Sequence, residues 1–590
     1  MTEQQIDSKD GSGSDVDVRW NLTIPMRDGV NLSAILYVPK NQAAPAPTIF
    51  TLTPYIAQLH HNRGVYFARR GFPFLSIDVR GRGNSEGVFR PLYSEAQDGF
   101  DIVEWIARQT FCNGKVAMWG GSYEAYAQWV TASRSPPHLA TIVPAASAYI
   151  GEDFPMRCNV PEPYLMQWLT LVAGRALQAQ LFFNNELFWG GKFQAWFKSG
   201  RPFRELETLF GYDSPAFREW LEHPQRDEYW DQFNPTRQNY ADLNLPILTI
   251  TGIYDADQPG ALRHYREHLR SASADARGQH FLVIGPWDHA GTRTPQREFV
   301  GIKVGPESLV DLPKLHLEWY EWTLREGVRP AFLRKNVSYY VMEADEWRYA
   351  DSLEAITSQS HSLYLGSKVN PTDVFHSGSL TSEPTLESHF DHYIYDPEDV
   401  SLGELEATVD PESRSDLRML YAAAGRHLVY HTAPLARDTD IGGFFKLSVW
   451  LAINQPDTDF KAALYDIGVD GNGVLLSSDW IRARYRLSLR EAHLITTSEP
   501  LRYDFERFTF VARRLKQGHR LRLVIGPINS IYSQKNYNTG GIVADESIDD
   551  ARKVEVRLLH DPLHPSALYV PTLQPQAIEF RPSSGAAARS

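Results

Sequence analysis

The stretch "AMWGGSYEAYAQW", residues 117–129, decides how this chain is read. A short apolar strand runs into Gly120, Gly121 and Ser122, and the pattern then resumes as helix. Small residues let a strand and the following helix pass close together, and a hydroxyl at such a corner stands clear of the sheet. The G-x-S-x-G form of this turn is not met, because Glu124 occupies its last position. Taken alone, the stretch fits an ordinary turn as well as it fits a nucleophile.

The flanking sequence gives the corner a context. Upstream, "VRWNLTIPM" and "NLSAILYVP" are strand-like, and "RDGV" supplies turn chemistry between them, which predicts a hairpin. "APTIFTLTPY" and "FPFLSIDVRGRG" are short apolar runs ending in Gly, Pro and polar residues, as buried parallel strands do. "AQDGFDIVEWIARQ" has helical spacing, and "KVAMWGG" is a further strand. Strand alternating with helix predicts a parallel sheet covered on both faces.

From residue 147 to 240 the alternation stops. Segments such as "PYLMQWLTLVAGRALQAQLFF" and "FQAWFKSGRPFRELETLFG" are helical and aromatic-rich. Sheet pattern returns with "LPILTITGIYD" and "GQHFLVIGPWDHAG", so the insertion reads as a cap over the loop end of the sheet. Beyond "LHLEWYEWTLREG", segments including "KNVSYYVMEA", "GFFKLSVWLAIN", "FKAALYDIGV" and "RLRLVIGP" alternate apolar and polar residues, the pattern of an antiparallel sandwich or jelly roll. The resulting division is a disordered tail over 1–17, a catalytic α/β domain over 18–146 and 241–350, a helical cap over 147–240 and a jelly roll over 351–590.

Two further residues join Ser122. Asp255 directly follows the strand "ILTITGIY", and His289 follows "FLVIGPWD". Both stand at carboxyl ends of strands, the edge where open α/β sheets bind ligands. The chain order Ser, Asp, His is the order of a nucleophile, its acid and its base in this kind of fold. Asp288 adjoins His289, but neighbouring side chains on an extended segment point apart, which favours Asp255 as the partner.

Composition narrows the class. A formal net charge of -13 lacks the basic footprint of a nucleic-acid binder. No apolar run reaches about 18 residues, so no membrane span is expected. The polar first residues carry no signal-peptide order, and 2 cysteines in 590 residues leave no disulfide framework, which together read as a cytoplasmic protein. The 15 Trp, 28 Tyr and 29 Phe are enough to line an organic-ligand pocket as well as fill cores. His60 and His61 lack companions at metal-ligand spacing, and "RGRGNSEG" lacks the P-loop lysine, so no metal and no cofactor is expected.

The motifs "TPY" at 53–55, "DVRGRGNSEG" at 78–87, "GGSYEAYAQW" at 120–129, "IYDADQPG" at 253–260 and "GPWDH" at 285–289 resemble those of the CocE/NonD hydrolases. That family includes cocaine esterase, X-prolyl dipeptidyl peptidases and α-amino-acid ester hydrolases. "DTDFKAALYDI" and "IRARYR" are similar to its jelly-roll domain, so the resemblance spans residues 18–580. It implies an α/β-hydrolase domain with an inserted helical cap and a C-terminal jelly roll. It further implies Ser122 as nucleophile, His289 as base and Asp255 as its orienting acid. The oxyanion hole falls to the Tyr55 hydroxyl and the Tyr123 backbone N–H. Ala125 stands where the family usually has the glycine of G-x-S-Y-x-G.

For the substrate the resemblance implies less. Trp168, in "YLMQWL", is similar to a pocket tryptophan on a cap helix of the esterase members. Asp257 stands where the α-amino-acid ester hydrolases carry the first of three carboxylates that hold an ammonium group. Glu152 or Asp153 from "GEDF" could join it, while Gln258 replaces the third acid. The expected partner is a small ester or amide. Transfer of the acyl group to an amine or alcohol, X-prolyl peptidase activity and a non-catalytic binding scaffold remain alternatives, and a homo-oligomer is left open.

Overall fold

The computed structural model describes residues 15–176, 184–385 and 389–581. Its first half is built on a ten-stranded sheet. Strands β1 (Val16–Pro25) and β2 (Asn31–Pro39) form the expected antiparallel hairpin, closed by the Met26 N–H on the Val30 carbonyl at 2.8 Å. There follow β3 (Ala46–Thr53), β4 (Phe74–Asp78), β5 (Cys112–Gly121), β6 (Leu139–Ala145), β7 (Ile247–Gly252), β8 (His280–Gly285), β9 (Val337–Val341) and β10 (Glu346–Ala350). The spatial order is β1-β2-β4-β3-β5-β6-β7-β8-β9-β10, with β3 to β9 all parallel.

Helices cover both faces, which explains why the central strands read as unbroken apolar runs. From β5, Val116 and Met118 enter one core with Ile102, Val103 and Ile106 of α2 (Glu95–Ala107) and Trp129 of α3 (Tyr123–Ala132). Ala117 and Trp119 point the other way, into a core with Phe67 of α1 (His61–Arg69) and Trp319 and Tyr320 of the helix Leu312–Arg325. Each fully buried Val, Ile, Met or Phe among them contributes about 1.5–3 kcal/mol of transfer free energy. Polar loops therefore collect at one place, the carboxyl edge of the sheet.

Between β6 and β7 the chain leaves the sheet and forms helices, among them Tyr164–Leu171, Glu186–Ser199 and Pro215–Leu221. Their aromatic faces meet in one cluster holding Trp168, Trp189, Phe193, Trp196, Phe217, Trp220 and Trp230. Tyr123 and Tyr126 from α3 belong to the same cluster, so this layer sits directly over the serine corner. The helical pattern of 163–183 yields one helix ending at Leu171, and residues 177–183 lie outside the described part.

The C-terminal part is sheet-rich, with thirteen strands from Gln359–Gly366 to Ala567–Thr572. One sequence expectation is corrected here. "KNVSYYVMEA" does not join this antiparallel sheet, because β9 pairs parallel to β8 and continues the first sheet instead. Alternation alone cannot tell which sheet a strand joins. The two sheets are stitched just beyond β9, where Met342 N–H reaches the Ala512 carbonyl at 2.9 Å and Arg514 N–H returns to Met342 at 2.8 Å. Among the described residues no helix is long and apolar enough to cross a membrane.

Candidate active site

The corner at Ser122 is strained. Its φ of 62° and ψ of -126° are rare for a residue with a side chain, and such strain is retained where the surroundings over-determine it. The Ser122 N–H is held by the Ala145 carbonyl of β6 at 2.9 Å. Gly120 and Gly121 keep the corner tight for different reasons. Gly120 has φ +146°, and a Cβ there would lie 2.5 Å from the Cβ of Glu124. A Cβ on Gly121 would lie 2.4 Å from Nη1 of Arg293.

Asp255 and His289 arrive from the ends of β7 and β8, adjacent parallel strands in register from His280 opposite Ile247 to Gly285 opposite Gly252. His289 Nδ1 lies 2.8 Å from Asp255 Oδ1. The other carboxylate oxygen of Asp255 accepts from Thr251 Oγ1 at 2.9 Å, and Oδ1 also accepts the Asp257 N–H at 3.1 Å. Asp255 is buried; burial alone would raise its pKa, but the hydrogen bond and charge of His289 bring it below the ordinary value. Burial likewise lowers His289, and Asp255 together with Asp257 outweighs it and holds the imidazole above its usual value. With Nδ1 spent on Asp255, Nε2 is the nitrogen left for chemistry. Asp288 accepts the Gly291 N–H at 2.7 Å and takes no part.

Ser122 and His289 line one cavity of about 740 Å³, enclosed by the sheet edge, the helical layer and the C-terminal sheet. Tyr55, Tyr123, Trp168 and Asp257 line it too. The Tyr55 hydroxyl accepts a hydrogen bond from Trp168 Nε1 at 3.2 Å. Burial pushes the Tyr55 hydroxyl up to about 12, so it stays a protonated donor. Tyr123 opens α3, where the first N–H groups have no partner within the helix. Its ring is fixed by its hydroxyl, which donates to Glu95 at 2.6 Å and accepts the Leu92 N–H at 2.7 Å. Trp168 stacks on that ring at 5.7 Å and meets Phe154 edge-on at 5.1 Å, so it serves both a core and the cavity wall.

The expected carboxylate group is only partly assembled. Asp257 faces the cavity with Oδ2 3.7 Å from His289 Nδ1, and burial, partly offset by His289, pushes it up to about 6. Glu152 is instead paired with Arg226, and Asp153 accepts backbone N–H groups of Tyr149 and Gly260 at 2.9 and 2.5 Å. Neither lines the cavity, which corrects their assignment as substrate-binding residues. The physical reason is that each carboxylate is already engaged by local donors. Gln258 is also turned away, bridging to the C-terminal sheet through the Phe510 N–H at 2.6 Å and carbonyl at 3.2 Å. The ligating atoms of Asp255, Asp257 and His289 lie within 4.8 Å of one another, so these three residues have metal-ligand spacing. Their hydrogen bonding already occupies the imidazole Nδ1.

Sequence reasoning missed the support behind the corner. Glu124 is buried, and its Oε1 accepts from Thr53 Oγ1 and meets His60 Nε2, both at 2.7 Å, while Oε2 takes the Gly121 N–H at 3.3 Å. Thr53 Oγ1 in turn accepts the Tyr55 N–H at 3.1 Å. One carboxylate thus ties the serine corner to the strand end carrying Tyr55. Arg82, in the glycine-rich "RGRGNSEG", is fully buried and donates to the Pro54 carbonyl at 2.8 Å. A charge inside the apolar run "GGSYEAYAQW" was the available signal, because a buried carboxylate requires partners.

Two family models match the chain in series. The X-Pro dipeptidyl-peptidase (S15 family) covers residues 28–291, and the X-Pro dipeptidyl-peptidase C-terminal non-catalytic domain covers 332–568. A cocaine esterase of Rhodococcus sp. (strain MB1 Bresler) is 26% identical over 583 residues, covering 94% of this chain and 98% of its own. The chain belongs to the CocE/NonD hydrolases. Putative serine esterases of Mycobacterium bovis and Mycobacterium tuberculosis are 22% identical across 94% of the chain and 95% of their own. Solved structures agree on the fold of this CocE/NonD member. An α-amino acid ester hydrolase superposes with a TM-score of 0.79 at 20% identity, over 97% of this chain and 98% of that one. An aminopeptidase from the marine-sediment Thaumarchaeota archaeon gives 0.76 at 20% identity, over 97% and 100%.

Proposed function

We propose that Ser122, His289 and Asp255 form a catalytic triad that cleaves an ester or amide of a small organic or amino-acid-derived substrate. The observation that carries this reading is the 2.8 Å pairing of His289 with Asp255 at the sheet edge, in the cavity that holds the strained Ser122. A serine hydroxyl is a weak nucleophile until a base takes its proton. His289 Nε2 takes that proton as Ser122 Oγ attacks the carbonyl carbon, and Asp255 stabilises the imidazolium that forms. The Tyr55 hydroxyl and the Tyr123 N–H then face the oxygen on which negative charge develops. His289 returns the proton to the leaving group, and water, activated by the same imidazole, releases the acid.

Trp168, Tyr123 and Phe154 supply aromatic wall for the acyl part, and Asp257 meets an ammonium group where the substrate carries one. An amine acceptor in place of water uses the same residues, and product analysis with added nucleophiles separates the two outcomes. The sheet-rich C-terminal part, read as a jelly roll, supports the cavity without supplying the triad. A fluorophosphonate probe should label the wild type and fail to label Ser122→Ala, which should also lose turnover of a simple aryl ester. Undiminished turnover in purified Ser122→Ala ends this reading.

A further inference from the structure

One wall of the cavity comes from the C-terminal sheet, and it carries cations that no carboxylate contacts. On the strand Asp459–Ile467, residues Lys461, Ala463 and Tyr465 alternate onto the cavity face. In the two neighbouring strands Lys461 lies opposite Trp480 and Gly526, and Ala463 opposite Ser478 and Val524, all of them lining residues. Lys461 is therefore set between a glycine and an indole. That indole carries a second cation: the Arg157 guanidinium lies 5.0 Å from the Trp480 ring centroid and donates to the Ser478 carbonyl. A third, Arg414, is anchored by its carbonyl on the Leu475 N–H at 2.7 Å, with its guanidinium 5.8 Å from the Tyr254 ring.

These three cations line the same cavity as Ser122 and His289. Among the described residues no carboxylate lies within 4.0 Å of any of them. Arg414 Nε is buried without a hydrogen-bond partner. Of the acids that share the wall, Asp396, Asp399 and Asp416 are paired with Lys553, Arg426 and Arg418, while Glu412 and Asp410 favour the Arg414 charge only from beyond contact distance. Glu406 is engaged by the Ser530 hydroxyl at 2.6 Å and the Ile531 N–H at 2.9 Å. Burial raises Glu162, against the pull of the Arg157 and Lys461 charges, and so weakens it as their counter-ion. Burial also lowers Lys461, with Arg157 next among the causes, so the wall disfavours its own charge until an anion arrives. Half-buried cations with no carboxylate in contact are retained in a cavity wall where a ligand supplies the missing charge.

We propose that Lys461, Arg157 and Arg414 form an anion subsite that receives a carboxylate of the substrate, away from the bond that is cleaved. The preferred substrates are then esters or amides bearing a second, ionised carboxyl group. This rests on the serine-hydrolase reading above, and the test keeps the two apart. Two matched ester pairs probe the two sides of the scissile bond. Mono-4-nitrophenyl glutarate against 4-nitrophenyl butyrate places the carboxylate on the acyl side. 4-Acetoxybenzoate against phenyl acetate places it on the leaving group.

The wild type should favour the anionic member of one pair in kcat/KM by at least about 10-fold at low salt, and the margin should shrink as salt screens the charges. Lys461→Met keeps the apolar stem and removes the ammonium. It should raise KM for the favoured anionic ester at least about 10-fold more than for its neutral partner, with kcat less affected, the mark of lost uniform binding. Arg414→Gln should move the same ratio in the same direction, which covers the case of a poorly folded Lys461 variant. Free glutarate or benzoate should inhibit neutral-ester turnover, and less so in both variants. No anionic preference in either pair overturns the subsite, as does an equal loss on both members of a pair. Activity that survives Ser122→Ala would instead overturn the hydrolase reading itself.

Discussion

Replacing Glu124 by Gln tests the support behind the proposed nucleophile, Ser122. The change keeps the side-chain shape but removes the buried charge that faces His60 at 2.7 Å. It also sets an amide against incompatible partners. If the new NH₂ takes the place of Oε2, it meets the Gly121 N–H, donor against donor; if flipped, it meets the Thr53 hydroxyl and His60. Breaking a buried ion pair from one side costs about 3–5 kcal/mol. The loss should therefore be about 3–5 kcal/mol.

The same carboxylate holds Gly121 and, through Thr53, the Tyr55 backbone. A shift of about 1 Å at such a site costs about 10²-fold in rate, so kcat on a neutral aryl ester should fall by about 10–100-fold. Urea unfolding followed by tryptophan fluorescence measures the first effect. Ester turnover on the folded fraction measures the second. A variant with the wild-type midpoint and the wild-type kcat refutes the idea that Glu124 couples the two halves of the proposed oxyanion site.

Tyr55→Phe should lower kcat about 10²–10³-fold on an aryl ester, the usual cost of one oxyanion donor, and a loss below threefold would remove Tyr55 from that role. Asp257→Asn removes an anion 3.7 Å from His289 Nδ1. Because that charge helps raise the His289 pKa, the rising limb of the kcat/KM profile should move to lower pH; an unmoved limb refutes the coupling. Asp255, Arg293 and Glu412 remain around the imidazole and set where the limb then lies. Acid stability follows from His264, which burial lowers to about 3 in the folded protein. A depressed histidine contributes stability above its unfolded value of about 6.5 and loses it as pH falls toward 3, roughly 2 kcal/mol by pH 5. His264→Gln should flatten the fall in urea midpoint between pH 7 and 5, and an unchanged slope would show that another group controls it.

The order Ser122, Asp255, His289 and the strands that end at each were legible in the chain, because a buried parallel strand leaves a local signature. Its apolar run has no alternation, and glycine or polar loop residues stop it at the carboxyl edge. The insertion over the corner was legible for a similar local reason, a change from strand runs to helical spacing. What a carboxylate pairs with was not legible. Glu124 and His60 are 64 residues apart, and Gln258 and Phe510 are 252 apart. Asp153, Glu152 and Asp257 are the same kind of residue in the sequence. Packing gave the first backbone N–H groups, the second an arginine and the third the cavity. The membership of "KNVSYYVMEA" in the first sheet and the placing of Lys461 over the active cavity were likewise decided by tertiary structure. The chain's own periodicity sets which face of a strand is apolar. Only the approach of distant segments sets which face meets the substrate, and that depends on contacts no local pattern records.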